Sequence, residues 1–263
     1  MPNYKSILII FKFFFKKLFK SKKTKFFIFF GLTPLIVFLL INGIKLLYDS
    51  NHISGYSFFN KAGMIFFFKL YIQLVSLLFG ASVINDEVDS KTLVYLNTSP
   101  ASKLSIISGK FAAYFCVSYL SFVIGSSLLF VITNSNRILS AEYISRLIKL
   151  EFAGLISILA YSSLFLLLGV SMKKSTILGV FYIFGWEGIV QALPGAAQKL
   201  SILFYIGSLT PYRIPQDKSI LASGITLPGF SESLLTLVFL STFLLFLSIY
   251  IFKNKEYLLA DHT

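Results

Sequence analysis

Apolar residues run through this sequence in six long stretches, at about 26–47, 62–84, 106–132, 150–170, 175–193 and 231–252. A bilayer core about 30 Å thick takes roughly 20 mostly apolar residues to cross as a helix. Even the shortest stretch, 175–193, reaches about 28 Å at the helical rise. The runs are continuous rather than alternating, and backbone groups in lipid must be satisfied within the segment, so helices are expected and barrel strands are not. Pro194-Gly195 interrupts the longer stretch 175–209. The piece beyond it, 196–209, reaches only about 21 Å as a helix and carries Gln198 and Lys199. It reads as a short re-entrant or interfacial helix, with the following loop to Glu232 on the outside. The expected fold class is an all-α polytopic membrane protein with six transmembrane helices.

Ahead of the first span the pattern changes. At 100° per residue, Lys5, Lys12, Lys16 and Lys20 fall within about 80° of one another. Tyr4, Ile7, Leu8, Phe11, Phe14, Phe15 and Leu18 fall on the opposite side. This predicts an N-terminal amphipathic interfacial helix, its aromatic face in the acyl boundary and its lysines toward anionic headgroups. The chain then divides into that helix with its basic segment, 1–25, and a transmembrane domain, 26–263. The first apolar run is too long for the 7–15-residue core of a signal peptide, and no small-x-small cleavage site follows it. A cleaved leader is therefore not expected.

Composition sharpens the class. Of 263 residues, 56% are hydrophobic and 13% charged, with 30 Phe and a mean hydropathy of +0.79. Soluble domains carry roughly 25% charged residues. Too few polar residues remain to cover a water-facing surface, which excludes a soluble enzyme, a disordered tail, a collagen-like fibre and a disulfide scaffold. The net charge of +13 sits beside apolar spans, which points to an anionic membrane face rather than nucleic acid. Basic residues near span ends set orientation. Lys5, Lys12, Lys16, Lys17, Lys20, Lys22, Lys23, Lys25, Lys91, Lys103, Lys110, Lys173, Lys174, Lys253 and Lys255 share one side if six spans alternate. That side reads as cytoplasmic, with both termini inside. Cys116 is a lone cysteine, read as a small buried apolar residue.

The most polar internal stretch joins the second and third spans, at 85–103. Asn85 or Asp86 can cap a short helix with Glu87 and Asp89 in its first turn, placing Val88, Thr92 and Leu96 on one face. Ser99 followed by Pro100 reads as an N-cap and first helical residue, starting the third span. A short helix across the inner membrane surface suits docking to another protein; a plain polar connector is the alternative.

These residues resemble a known family. Glu87, Asp89, Thr92, Leu93, Leu96, Pro100, Ser102, Lys103, Gly109 and Lys110 follow a pattern similar to the permease subunits of ABC-2-type ABC transporters. The family often has Gly before the Thr-Leu pair, where this chain has Lys91. The resemblance extends to the interfacial helix, the six spans and the broken fifth segment. It implies that 85–103 forms the cytoplasmic coupling helix, docking on an ATPase through Glu87, Asp89, Thr92, Leu93, Leu96, Pro100, Ser102 and Lys103. It further implies a cytoplasmic ABC ATPase subunit, a second copy or homologous permease, and location in the inner (plasma) membrane. ATP and Mg would be bound by the partner ATPase, with no cofactor bound by this chain.

The chain has no P-loop of its own. Gly109-Lys110 is followed by Phe111, and Leu104 stands where the motif needs Gly. His52 and His262 are far apart in sequence and predicted on opposite sides, so no metal site is expected. No nucleophile–base set is visible. Polar residues inside spans are the functional candidates: Lys69 and Gln73, four apart on the second span, and Glu187 beside Trp186 on the fifth. A Lys69–Glu187 contact is conceivable. The leading expectation is the membrane subunit of an ABC exporter. The alternative is a secondary transporter or channel working without ATP, against which stands the absence of paired half-chain repeats.

Overall fold

The computed structural model describes residues 4–47, 54–89, 102–135, 140–172, 174–193, 195–212 and 228–254. Helix follows helix among them. The amphipathic segment is α1 (Tyr4–Phe19). Ser21 then caps α2 (Lys22–Gly31), accepting from the Thr24 amide at 3.2 Å. Pro34 cannot donate to the carbonyl four residues back. Accordingly the chain tightens at Leu32, whose N–H reaches both Ile28 and Phe29 carbonyls, before α3 (Thr33–Leu47). Together α2 and α3 form the first membrane-span candidate, Lys22–Leu47. It begins earlier than the apolar run because the lysines at 22–25 continue the helix into a polar zone.

The second span lies in α4, a continuous helix over 55–89. It opens through two π-helical stretches, Phe59–Gly63 and Ile65–Tyr71, and is regular over Ile72–Asp89. The wider turns bury Phe59, Phe67, Phe68 and Tyr71 almost completely. Three of those rings (Phe67, Phe68 and Tyr71) close on Phe122. Asn85 and Asp86 do not begin a new helix. No Pro or Gly interrupts 81–89, so α4 carries its hydrogen-bond ladder straight on to Asp89.

The third span is α5 (Lys103–Thr133), and its N-cap is Ser102 rather than Ser99. Ser102 has extended backbone, with φ −64 and ψ 144, and its Oγ accepts from the Ser105 amide. The fourth is α6 (Ala141–Ser171), extended outward from its apolar run by a polar turn holding the Glu142–Arg146 pair. The fifth, α7 (175–192), has a π-helical centre at Tyr182–Trp186. After it come a 3₁₀ helix (Gly195–Leu200), α8 (Ile202–Leu209) and α9 (Phe230–Asn254). Five described helices are long and apolar enough to cross a membrane: Lys22–Leu47, Gly55–Ile84, Lys103–Thr133, Ala141–Ser171 and Phe230–Asn254. The sixth expected span, α7, is helical but shorter, and carries Glu187 and Gln191.

Lipid supplies little hydrophobic drive between helices, so close packing and small residues do the joining. Helix α6 is central, against α4 on one side and α9 on another. α9 offers it Ser233, Leu237, Ser241, Leu244 and Ser248, all buried. Buried hydroxyls bond locally, Ser157 to the Ala153 carbonyl and Ser241 to that of Leu237, each at 2.6 Å. Neither of these two hydroxyls then needs water. At the α5–α6 crossing, a Cβ on Gly154 would lie 2.1 Å from a Phe122 ring carbon.

Gly154→Leu should therefore destabilise the purified protein by about 1–3 kcal/mol through overpacking, lowering the apparent melting temperature by about 2–12 °C. Gly43, where a Cβ would meet nothing within 4 Å, is the control. Equal melting of Gly154→Leu and Gly43→Leu would refute the crossing.

Candidate functional site

At one end of the bundle, α1 lies along the first half of α5. Its inner face is Ile7, Ile10, Phe11, Phe14 and Leu18, the spacing of a helical stripe. Phe11, Phe14 and Phe15 pack on the protein core. The expectation that this face lies in the acyl boundary is corrected to that extent: protein covers much of it, and Leu8, Ile9 and Phe13 remain exposed. Gly109 permits the contact, since a Cβ there would sit 2.9 Å from the Ile7 carbonyl oxygen. Lys110 is 1% exposed, with its ammonium 4.8 Å from the centre of the Phe14 ring. A desolvated cation over a ring is worth up to about 2 kcal/mol. The Gly-Lys pair thus seats the amphipathic helix.

The same end gathers the polar connection. Lys23, at the start of α2, donates to Ser82 Oγ on α4 at 3.3 Å. Two turns on, α4 finishes with Glu87 and Asp89 in its backbone helix. Ser102 and Lys103 begin α5. Thr92, Leu93, Leu96 and Pro100 lie outside the described residues, as does the short coupling helix expected there.

A second polar centre lies inside the bundle. Glu187 is 1% exposed and about 18 Å of helical rise from the start of α7. Its Oε1 accepts from Tyr161 Oη at 3.0 Å, Tyr182 Oη at 3.2 Å and the Ile202 amide at 3.2 Å. Its Oε2 accepts from Gln191 Nε2 at 3.4 Å and from Ser201 Oγ. Ile202 opens α8, so the carboxylate sits at a helix N-terminus, where orphan N–H groups and the helix dipole favour an anion. The chain dips back from α7 through the 3₁₀ helix to Glu187 and returns along α8. Gln198 Nε2 closes the bend on the Leu193 carbonyl at 3.0 Å. α8 is buried against α6 and α9, so the segment re-enters the helix bundle instead of lying on its outside.

Gln73 joins this centre from α4, donating to Tyr161 Oη at 3.0 Å. Lys69 does not: it is half-buried, lies in the π-helical stretch Ile65–Tyr71 whose wider turns alter the facing of a four-residue spacing, and forms no ion pair with Glu187. The far end of the re-entrant segment is held by aromatic contacts. The Arg146 guanidinium stands 5.4 Å from the Tyr212 ring centre and 5.6 Å from that of Tyr143. Tyr212 also meets Tyr56 and Phe59 of α4. Burial raises the Tyr212 hydroxyl above its ordinary pKa, with Arg146 opposing the shift.

Glu151 escaped the sequence reading. Its Oε1 accepts from Ser126 at 2.8 Å and Ser127 at 3.1 Å, while Oε2 is buried with no hydrogen-bond partner among the described residues. The rule that singled out Glu187, an acid inside an apolar run, applies to it equally. Its place at the edge of the run 150–170 concealed it.

Gly109→Leu should lift α1 from α5. Tryptic cleavage at the exposed Lys12, Lys16 and Lys17 should accelerate at least fivefold in detergent, with Gly43→Leu unchanged. Equal cleavage rates would refute the docking of α1.

Comparison with known proteins adds one match. A family model described as "ABC-2 family transporter protein" matches residues 15–185, well over half the chain. No curated protein matches significantly. The matched region takes in the last five residues of α1, four spans and most of α7, including Gly109, Lys110 and the stretch 85–103. The chain belongs to the ABC-2 family of transporter membrane proteins.

Proposed function

We propose that this chain is the permease subunit of an ABC exporter, forming the substrate pathway and coupling it to ATP hydrolysis by a separate ATPase. Family membership is the observation that carries the reading. The geometry supports it. Helix α4 continues beyond its apolar run to Asp89; Lys23 at the start of α2 bonds to its Ser82, and α1 lies along the start of α5 at the same end. The lysines of α1 and α2 belong to the same end, which makes it the cytoplasmic one by the positive-inside rule. Both termini then lie in the cytoplasm and the protein sits in the plasma membrane.

Coupling works as differential affinity. The ATPase pair binds one arrangement of the permease more tightly with ATP than without, and hydrolysis of ATP with Mg returns it. The contact surface is the segment 85–103. The acids Asp86, Glu87 and Asp89 fall in the part of α4 beyond its apolar run. A groove on the ATPase lined with donors or cations complements them. A second permease, identical or homologous, completes the pathway.

Affinity-tagged chain drawn from detergent-solubilised membranes should bring an ABC ATPase with it. Glu87→Lys with Asp89→Lys should cut the ATPase recovered at least tenfold while leaving the amount of permease unchanged. Undiminished recovery would exclude the segment as the docking surface.

A further inference from the structure

Resting on the permease reading, a deeper assignment follows from the buried polar chain Gln73–Tyr161–Glu187–Ser201/Ile202. The three side chains Gln73, Tyr161 and Glu187 are at most 2% exposed. They connect three elements, α4, α6 and α7. Gln73 belongs to α4, whose far end carries the docking acids. Tyr161 belongs to the central helix α6. Glu187 belongs to α7 and caps the re-entrant helix α8. Each link is directional: Gln73 donates to Tyr161, Tyr161 donates to Glu187, and the Ile202 amide and Ser201 hydroxyl donate to Glu187. Loss of the carboxylate leaves α8 with backbone N–H groups facing an apolar interior, and water cannot replace it there. The region that matches the family model stops at residue 185, so this capped hairpin is read from this chain's own contacts.

We propose that Glu187 is a positioning residue of the transport cycle, fixing the re-entrant segment 195–212 to helix α4 through Tyr161 and Gln73, so that the segment follows α4 when the ATPase closes. A cap alone needs only Ser201 and Ile202. The extension through a buried tyrosine to a buried glutamine on the helix that reaches the docking surface is what a cap does not require. Helix α4 is unbroken from Gln73 to Asp89, so a tilt imposed at its acidic end arrives at Gln73 without a hinge between them.

The test uses the complex purified with its ATPase and reconstituted in lipid, in a Cys116→Ser background. Ala196, exposed at the start of the re-entrant segment, is replaced as Ala196→Cys and labelled with a membrane-impermeant maleimide, nucleotide-free and after trapping with ATP and vanadate. With Gln73, Tyr161 and Glu187 intact, trapping should change the labelling rate at least threefold. Gln73→Leu, which spares every contact of the cap, should abolish that change while ATPase recovery and trapping persist. Glu187→Leu should abolish it too, and also alter the nucleotide-free rate. A labelling change that survives undiminished in Gln73→Leu reduces Glu187 to a structural cap and overturns the proposal. So does a rate in the unaltered chain that nucleotide does not move although the ATPase is present and trapped. A chain that recovers no ATPase at all contradicts the parent reading instead, and this proposal falls with it.

Discussion

A helix that begins inside an apolar layer exposes backbone N–H groups that water cannot reach. In this chain that demand arises at Ile202, and the Glu187 carboxylate meets it. The same constraint governs the rest of the fold. Ser157 and Ser241, buried between helices, turn their hydroxyls onto carbonyls one turn back. Ser21 and Ser102 cap the helices that follow them. At these three breaks a specific group satisfies what the break exposes. The re-entrant segment is the most demanding case, because its break falls within the bundle, and there the chain gathers five donors on one carboxylate.

Packing follows from the same setting. Lipid tails are as apolar as Leu and Phe, so helices gain from association chiefly where surfaces fit closely. Gly154 accepts the Phe122 ring and Gly109 accepts the backbone of α1. The second of these has a functional side. A basic amphipathic helix could be held by headgroups alone, yet α1 is fixed to α5 by Lys110 over Phe14. This ties the most basic part of the chain to the start of the helix that follows the polar connection.

Much of this was legible in residue order. Six apolar runs gave six helical segments, and Pro194-Gly195 marked the break that becomes the re-entrant bend. Helix ends were less legible, because they depend on hydrogen bonds rather than hydropathy. Polar residues at 85–89 and 141–149 continue a ladder that apolarity does not measure. Ser99-Pro100 looked a better start for α5 than Ser102, which caps it. The candidates Gln73 and Glu187 meet through Tyr161, a residue that sequence gave no reason to single out. The π-helical stretch around Lys69 undid a facing inferred from regular spacing. Lys110, expected near the inner surface, is buried because α1 folds over it.

Coupling to a cytoplasmic ATPase requires that the end of the bundle holding α1 and the start of α5 face the cytoplasm. Impermeant maleimide labelling of sealed vesicles of both orientations, in a Cys116→Ser background, measures this directly. Ser102→Cys at the cap of α5 and Tyr56→Cys at the opposite end are both exposed sites. Ser102→Cys should be labelled in inside-out vesicles alone and Tyr56→Cys in right-side-out vesicles alone. Labelling of Ser102→Cys from the outside would contradict that placement.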